Sequence, residues 1–157
     1  SSDNWAHAHL EGVWQQARAV RNVLYRIDKK LAMKLDLLEG TVVADQPMAY
    51  LFGPIFLRLK REMVDLEECM RLWEVCWARG PHFHILTLVA FVLGQRMEIM
   101  TMRHTGGPSA ELHQLFARLR CSQRAASLLT AARRIEAKRG LLESVQDSMG
   151  SGFRSLV

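Results

Sequence analysis

The residues that could do chemistry in this 157-residue chain are few and scattered. Three cysteines, Cys69, Cys76 and Cys121, show no CxxC spacing, which argues against a disulfide framework or a zinc site and for a reducing compartment. Cys69 and Cys76 lie seven positions apart on one helical face, where small apolar side chains fill space between larger ones. The pairs His7/His9 and His82/His84 have a one-residue gap that splays side chains on a helix, and no fitting carboxylate or cysteine joins them. No metal is expected. His84, inside the apolar run from Phe83 to Leu93, reads as a hydrogen-bonded core histidine. Phosphate-cradling GxxxxGK and GxGxxG motifs are absent, and Gly106-Gly107 lacks the lysine and strand such a loop needs. No serine sits in a GxSxG elbow, and Glu67-Glu68 suit the solvated first turn of a capped helix better than acid-base work. Neither a self-contained catalytic site nor a cofactor is expected.

Charge is the second chemical feature. Residues 1–100 hold twelve Lys/Arg and twelve Asp/Glu, whereas residues 101–157 hold nine basic and four acidic, so the C-terminal third supplies the whole net charge of +5. Arg118, Arg120, Arg124, Arg133, Arg134, Lys138 and Arg139 could meet an acidic membrane surface or an acidic partner, or simply form a solvated helix face. Nucleic acid is not expected, because Trp5, Trp14, Trp73 and Trp77 fall on apolar helical faces and are not interleaved with the basic residues.

The elements that must position these residues are helices. With 49% apolar residues the chain can build one core. Apolar residues from Leu10 to Leu38 recur at three- and four-residue steps, with a helix start at Asp28 and a stop at Gly40. Glu39 to Pro47 reads as a connection, and Met48 to Leu59 as an apolar helix kinked at Gly53-Pro54. Asp65 with Glu68 forms a capping box ahead of a helix whose inward stripe is Leu66, Cys69, Met70, Trp73 and Trp77, ending at Arg79-Gly80-Pro81. The next helix, from His82 to about Arg103, is apolar nearly all round and belongs at the centre; its apolar run is too short for a bilayer. After the loop at Thr105 to Ser109, a short helix over Glu111 to Arg118 precedes a longer one, capped by Ser122 and running to Arg139 before Gly140. Thr41-Val42-Val43 is too short to found a sheet, and no repeat is present. The fold class is all-α, a bundle of about six to eight helices.

The segment Leu57 to Ala78, LRLKREMVDLEECMRLWEVCWA, carries the most specific information. A helix ends on Lys60-Arg61-Glu62, a capped turn follows, and Met70-Arg71-Leu72-Trp73-Glu74 lies in the next helix. Arg71 is close enough along the helix to pair with Glu74, and Arg61 and Glu62 stand in the turn where they could tie two helix ends together. This segment resembles the C-terminal lobe of the TBC domain, the helical domain of Rab GTPase-activating proteins. There an FKREF segment, a short turn and LRLWE-x-x-W recur, and Leu59 to Met63 and Met70 to Trp77 match them. Residues 10–103 are placed on the family, and residues 109–139 resemble the helices that close the lobe. Gly53-Pro54 departs from the pattern, since the family usually has an Arg-Trp pair there.

The resemblance implies a lobe over residues 1–140 and a partly frayed tail over 141–157. It implies a GTP-bound Rab-family small GTPase as partner, an upstream N-terminal TBC lobe as companion, and a cytoplasmic location, peripheral to membranes. In the family an arginine finger from IxxDxxR and a glutamine from YxQ do the catalysis, and such a finger can be worth about 10³–10⁵ in rate. Neither motif is here: Tyr25 precedes Arg26-Ile27, Tyr50 precedes Leu51-Phe52, and Ile27-Asp28-Lys29-Lys30 lacks the spacing and the arginine. The chain begins at Ser1-Ser2-Asp3, as a processed chain or an excised segment would, and the fingers are expected upstream. Arg61, Glu62, Arg71 and Glu74 are the candidates for a Rab-facing or lobe-stabilising network. The alternative is a non-catalytic helical scaffold that binds Rab or other proteins.

Overall fold

The computed structural model describes residues 2–40, 46–103 and 108–138, with side chains described from residue 10 onward. Expectations about Thr41-Val42-Val43, the glycines at 106 and 107, the Gly140 stop, the tail over 141–157, and the side chains of Trp5, His7 and His9 lie outside those residues.

The first two helices follow the periodicity closely. Helix α1 spans Ser2–Ile27 and α2 spans Lys29–Glu39. Asp28 separates them because its carboxylate accepts the Leu31 N–H at 3.1 Å, which satisfies a donor left open at the start of α2. Gly40, at φ 75°, ends α2 in a conformation that costs other residues more. Val13, Ala17, Val20, Leu24, Leu31 and Leu35 are buried along the seam between the two helices and the core.

The segment from Met48 to Leu59 is not one kinked helix. A 3-10 turn over Ala49–Leu51 leads into a five-residue helix, α3, at Phe52–Phe56. Pro54 lies in the first turn of α3, where a missing N–H leaves no intrahelical bond unmade, so it opens a helix instead of bending one. Arg58 and Leu59, at φ 50° and 62°, then turn the chain away in the left-handed region.

Helix α4 spans Leu66–Arg79 and α5 spans Pro81–Leu93, hinged at Gly80 with φ 101°. Helix α5 is the centre of the molecule: Phe83 and every residue from Ile85 to Val92 are buried. It packs on α1, α4 and, after the short helix α6 at Arg96–Thr101 and α7 at Ala110–Ala117, on α8 at Ala125–Glu136. Each such Leu, Ile, Val or Phe contributes roughly 1.5–3 kcal/mol relative to exposure. The single helix expected from His82 to Arg103 is broken at Gly94-Gln95. There Arg96 turns to donate to Asp28 at 2.6 Å, and Lys34 holds the Met102 carbonyl, so α6 is held against α2.

Among the described residues there are eight α-helices and no strand, only an isolated parallel bridge between Met63 and Gln123. The molecule is an all-α bundle, and no helix among those residues is long and apolar enough to cross a membrane.

Candidate functional site

The segment 57–78 folds into a clasped corner. Two turns, 57–64 and 118–124, run side by side. The Arg61 carbonyl accepts the Cys121 N–H at 3.0 Å, the Glu62 carbonyl accepts the Ser122 and Gln123 N–H groups at 2.9 and 2.8 Å, and the Val64 N–H donates to the Gln123 carbonyl at 2.9 Å. The corner carries three left-handed residues that are not glycine, Arg58, Leu59 and Cys121, at φ 50°, 62° and 54°. Such conformations persist only where surrounding bonds over-determine them.

Asp65 caps α4 by accepting the Glu68 N–H at 2.8 Å, the expected half of a capping box. The reciprocal half is absent, because Glu68 has another task. Its Oε2 accepts the Ala125 N–H at 2.6 Å and caps α8, 57 residues away in sequence. Ser122 does not cap α8 as expected, since its hydroxyl donates to the Leu119 carbonyl at 2.7 Å; Arg124 holds the cap position without a side-chain bond. At the far ends of the same two helices Arg79 donates to Glu136. Helices α4 and α8 therefore lie parallel, tied at both ends.

The four candidate residues separate. Arg71 pairs with Glu68 at 3.3 Å, three residues back, and not with Glu74. Glu74 is exposed on the outer face. Glu62 is buried, with Oε2 unpartnered among the described residues, and burial raises its carboxyl pKa against the pull of Arg61 and Arg120. Its role is therefore internal. Arg61 is exposed at the surface and lies across α3: a methyl group built on Gly53 would collide with its guanidinium. Gly53, with no Cβ, leaves room for the Arg61 guanidinium in this position.

Trp73 is half-buried, not core, and its indole N–H donates to the Arg58 carbonyl at 2.9 Å. The inward stripe of α4 is Cys69, Leu72 and Cys76, whereas Leu66, Met70 and Trp77 are 64%, 43% and 62% exposed. Two apolar stripes lie side by side on this helix, and the bulkier one faces out.

The buried groups do not assemble into a reactive centre. Burial pushes the Cys76 thiol up to about 11 and raises Cys69, so neither offers a thiolate near neutrality. His84 is half-buried on α5, its enclosed Nε2 lacking the expected hydrogen bond, and burial lowers it to about 4, so it is neutral. Among the described residues no three His, Cys, Asp or Glu side chains converge as a metal site would require.

Two further polar links escaped the sequence reading. Arg21 grips Asp36 through two bonds of 3.1 and 2.7 Å, with Tyr25 donating to the same carboxylate. Glu39 accepts the Met48 N–H through both carboxylate oxygens, at 3.1 and 3.0 Å, and closes the connection from α2 to the 3-10 turn. Local spacing carries no signal for either.

The geometry defines the protein's class as an all-α helical bundle with a clasped, charged corner. Comparisons with protein-family models, with curated proteins and with solved structures match nothing.

Proposed function

We propose that this chain is the C-terminal lobe of a TBC-type domain and takes part in stimulating GTP hydrolysis by a Rab-family small GTPase. The observation that carries the reading is the segment 57–78. Its Lys-Arg-Glu cluster ends in a clasped turn, and its Arg-Leu-Trp-Glu lies on a capped helix whose tryptophan locks onto that turn. Arg58, Lys60, Arg61, Glu67, Arg71 and Glu74 are exposed there and form a charged rim suited to a protein partner. The lobe contributes this surface and support. The arginine that neutralises charge on the transferring phosphoryl group and the glutamine that orients water come from the companion N-terminal lobe.

The test is GTP hydrolysis by a panel of cytoplasmic Rab proteins, with this chain alone and joined to an upstream lobe. Acceleration is expected only with the companion lobe. Full stimulation by the isolated chain would overturn the division of labour.

The alternative reading is a non-catalytic scaffold, which loss of both finger motifs from the upstream lobe would favour. It predicts binding of GTP-loaded Rab without acceleration even when the upstream lobe is supplied. Contact with acidic membrane is supported by the exposure of Arg118, Arg120, Arg124, Arg133, Arg134 and Lys138. It predicts vesicle binding that needs anionic lipid and weakens as salt rises.

A further inference from the structure

We propose that the outer face of the α2–α6 pair docks on an acidic lipid bilayer, with Met33, Leu37 and Met97 entering the headgroup layer between lysines. The inference is independent of any GTPase role and of the arginines on α8. Two contacts set the geometry. Arg96 donates to Asp28 and Lys34 to the Met102 carbonyl, and in each case the partners are 68 residues apart. Helices α2 and α6 therefore run parallel, side by side, with position 97 level with position 29. On α2 the buried residues are Leu31, Ala32, Leu35 and Leu38. Met33 and Leu37, one turn apart, lie on the opposite side and are 49% and 52% exposed. On α6 Ile99 is buried, and Met97, two positions earlier, points away from it at 84% exposure, the highest among the large apolar side chains described. Three long, flexible apolar side chains thus project from one face, a patch of the kind that marks an interaction site.

Charge selects the occupant. Lys29 and Lys30 are exposed and bracket Met33 and Leu37 around the helix, and half-exposed Lys34 stands at the seam with α6. Arg26 at the end of α1 and Arg103 just beyond α6 are exposed as well. Most of the neighbouring acids are engaged. Asp28 holds Arg96, Asp36 holds Arg21 and Tyr25, Glu11 holds Arg18, and Glu39 accepts the Met48 N–H. Glu98 and Glu111 are exposed, and Glu98 turns toward Arg118 of α7 at 3.9 Å. The face is therefore positive around an apolar crest.

A second copy would set lysine against lysine, which costs energy. A protein groove fits less well, because protein interfaces are anchored by aromatic residues and arginine and are depleted in lysine, whereas this face carries methionine, leucine and lysine. Acidic headgroups accept lysine without demanding a fixed geometry. The lysine stems lie along apolar surface while their ammonium groups reach the headgroups. Two helices side by side then rest in the interface plane as a single amphipathic helix does.

The experiment is flotation of the whole chain with vesicles of phosphatidylcholine alone or with about 30% phosphatidylserine, at low and at physiological salt. Binding is expected only with the acidic lipid, and weaker as salt rises. Lys29→Glu with Lys30→Glu should weaken it about tenfold or more. Met33→Ser with Met97→Ser should weaken it at every salt concentration. Both pairs should leave circular dichroism and thermal unfolding unchanged, since the side chains are exposed. Arg133→Glu with Arg134→Glu, which reverses as many charges on α8, should cost less. Insertion is read from an environment-sensitive dye on Met97→Cys in a Cys121→Ser background, Cys69 and Cys76 being buried. Its emission should shift to the blue on acidic vesicles, whereas the same dye on Met70→Cys of α4 should not shift. No binding to acidic vesicles at low salt would overturn the proposal. So would binding lost with the α8 pair but not the α2 pair, or a dye at position 97 that keeps its aqueous emission on bound vesicles. A dimer in sedimentation equilibrium that Met97→Glu abolishes would assign the face to a second copy and overturn it too.

Discussion

Glu39 and His84 carry opposite consequences of burial. Both are groups whose charged form is disfavoured, one an acid and the other a base. Glu39 is pushed up to about 7 by burial, against a value of 4.5 in an open chain, despite the Met48 N–H it accepts. Between those values the folded state holds a proton that the unfolded state has released, so its contribution to stability falls as pH rises from 4.5 to about 7. His84 runs the other way. Burial holds it at about 4, against 6.5, so between pH 4 and 6.5 the unfolded state binds the extra proton and stability falls on acidification. Urea denaturation at a series of pH values should show the downward slope above pH 4.5 flattened in Glu39→Gln and the acid loss flattened in His84→Leu. The leucine also removes the unpartnered Nε2 and is expected to raise stability near neutrality.

Trp73 and Leu72 form a second residue-scale pair. Leu72 is fully buried, and Leu72→Ala should cost about 2–5 kcal/mol. Trp73→Phe keeps an aromatic ring against the core but leaves the Arg58 carbonyl without the indole donor, a loss of about 1 kcal/mol. Thermal unfolding of the two variants should therefore rank Leu72 well above Trp73. A larger loss at Trp73 would mean that α4 presents its other stripe to the core.

At the scale of elements, α4 and α8 behave as one unit. Glu68 belongs to α4 yet caps α8, and Arg79 at the end of α4 holds Glu136 at the end of α8. Glu68→Ala removes an N-cap and the Arg71 pair together. The expected loss is about 1–2 kcal/mol, most of it from the cap, because Arg71 is exposed and such pairs contribute little. Amide exchange should rise first in the opening turn of α8, around Ala125 to Leu128. Equal acceleration along the whole of α4 instead would show that Glu68 acts within its own helix. The break between α5 and α6 has a similar origin: Arg96 is recruited by Asp28, whose carboxyl the guanidinium draws below its ordinary value.

For the whole molecule, α5 is the common wall of the bundle, buried nearly all round and packed on α1, α4 and α8. Its amides should be the slowest to exchange and should open only with global unfolding, measured by native-state hydrogen exchange. Faster exchange in α5 than in α1 would contradict that central role. A bundle organised this way leaves its outer helix faces and the charged rim of its clasped corner exposed.

Much of this was legible in the sequence because the information was local. Three- and four-residue apolar spacing gave α1 and α2, Asp28 and Asp65 marked helix starts, Gly40 and Gly80 marked stops, and the unbroken apolar run identified α5 as central. Each of these depends on backbone groups within one turn of the residue concerned. What the sequence could not decide were choices that depend on distant partners. Two apolar stripes on α4 compete, and the packing of α5 and α8 decides that Cys69, Leu72 and Cys76 face in. Glu68 abandons its own capping box for a donor 57 residues away, Arg96 leaves the helical line for Asp28, and Gly53 makes room for Arg61. Helix periodicity follows from backbone geometry and so belongs to the sequence. The rotation of a helix and the partner of a charge depend on what the fold brings within reach, so only the tertiary structure decides them.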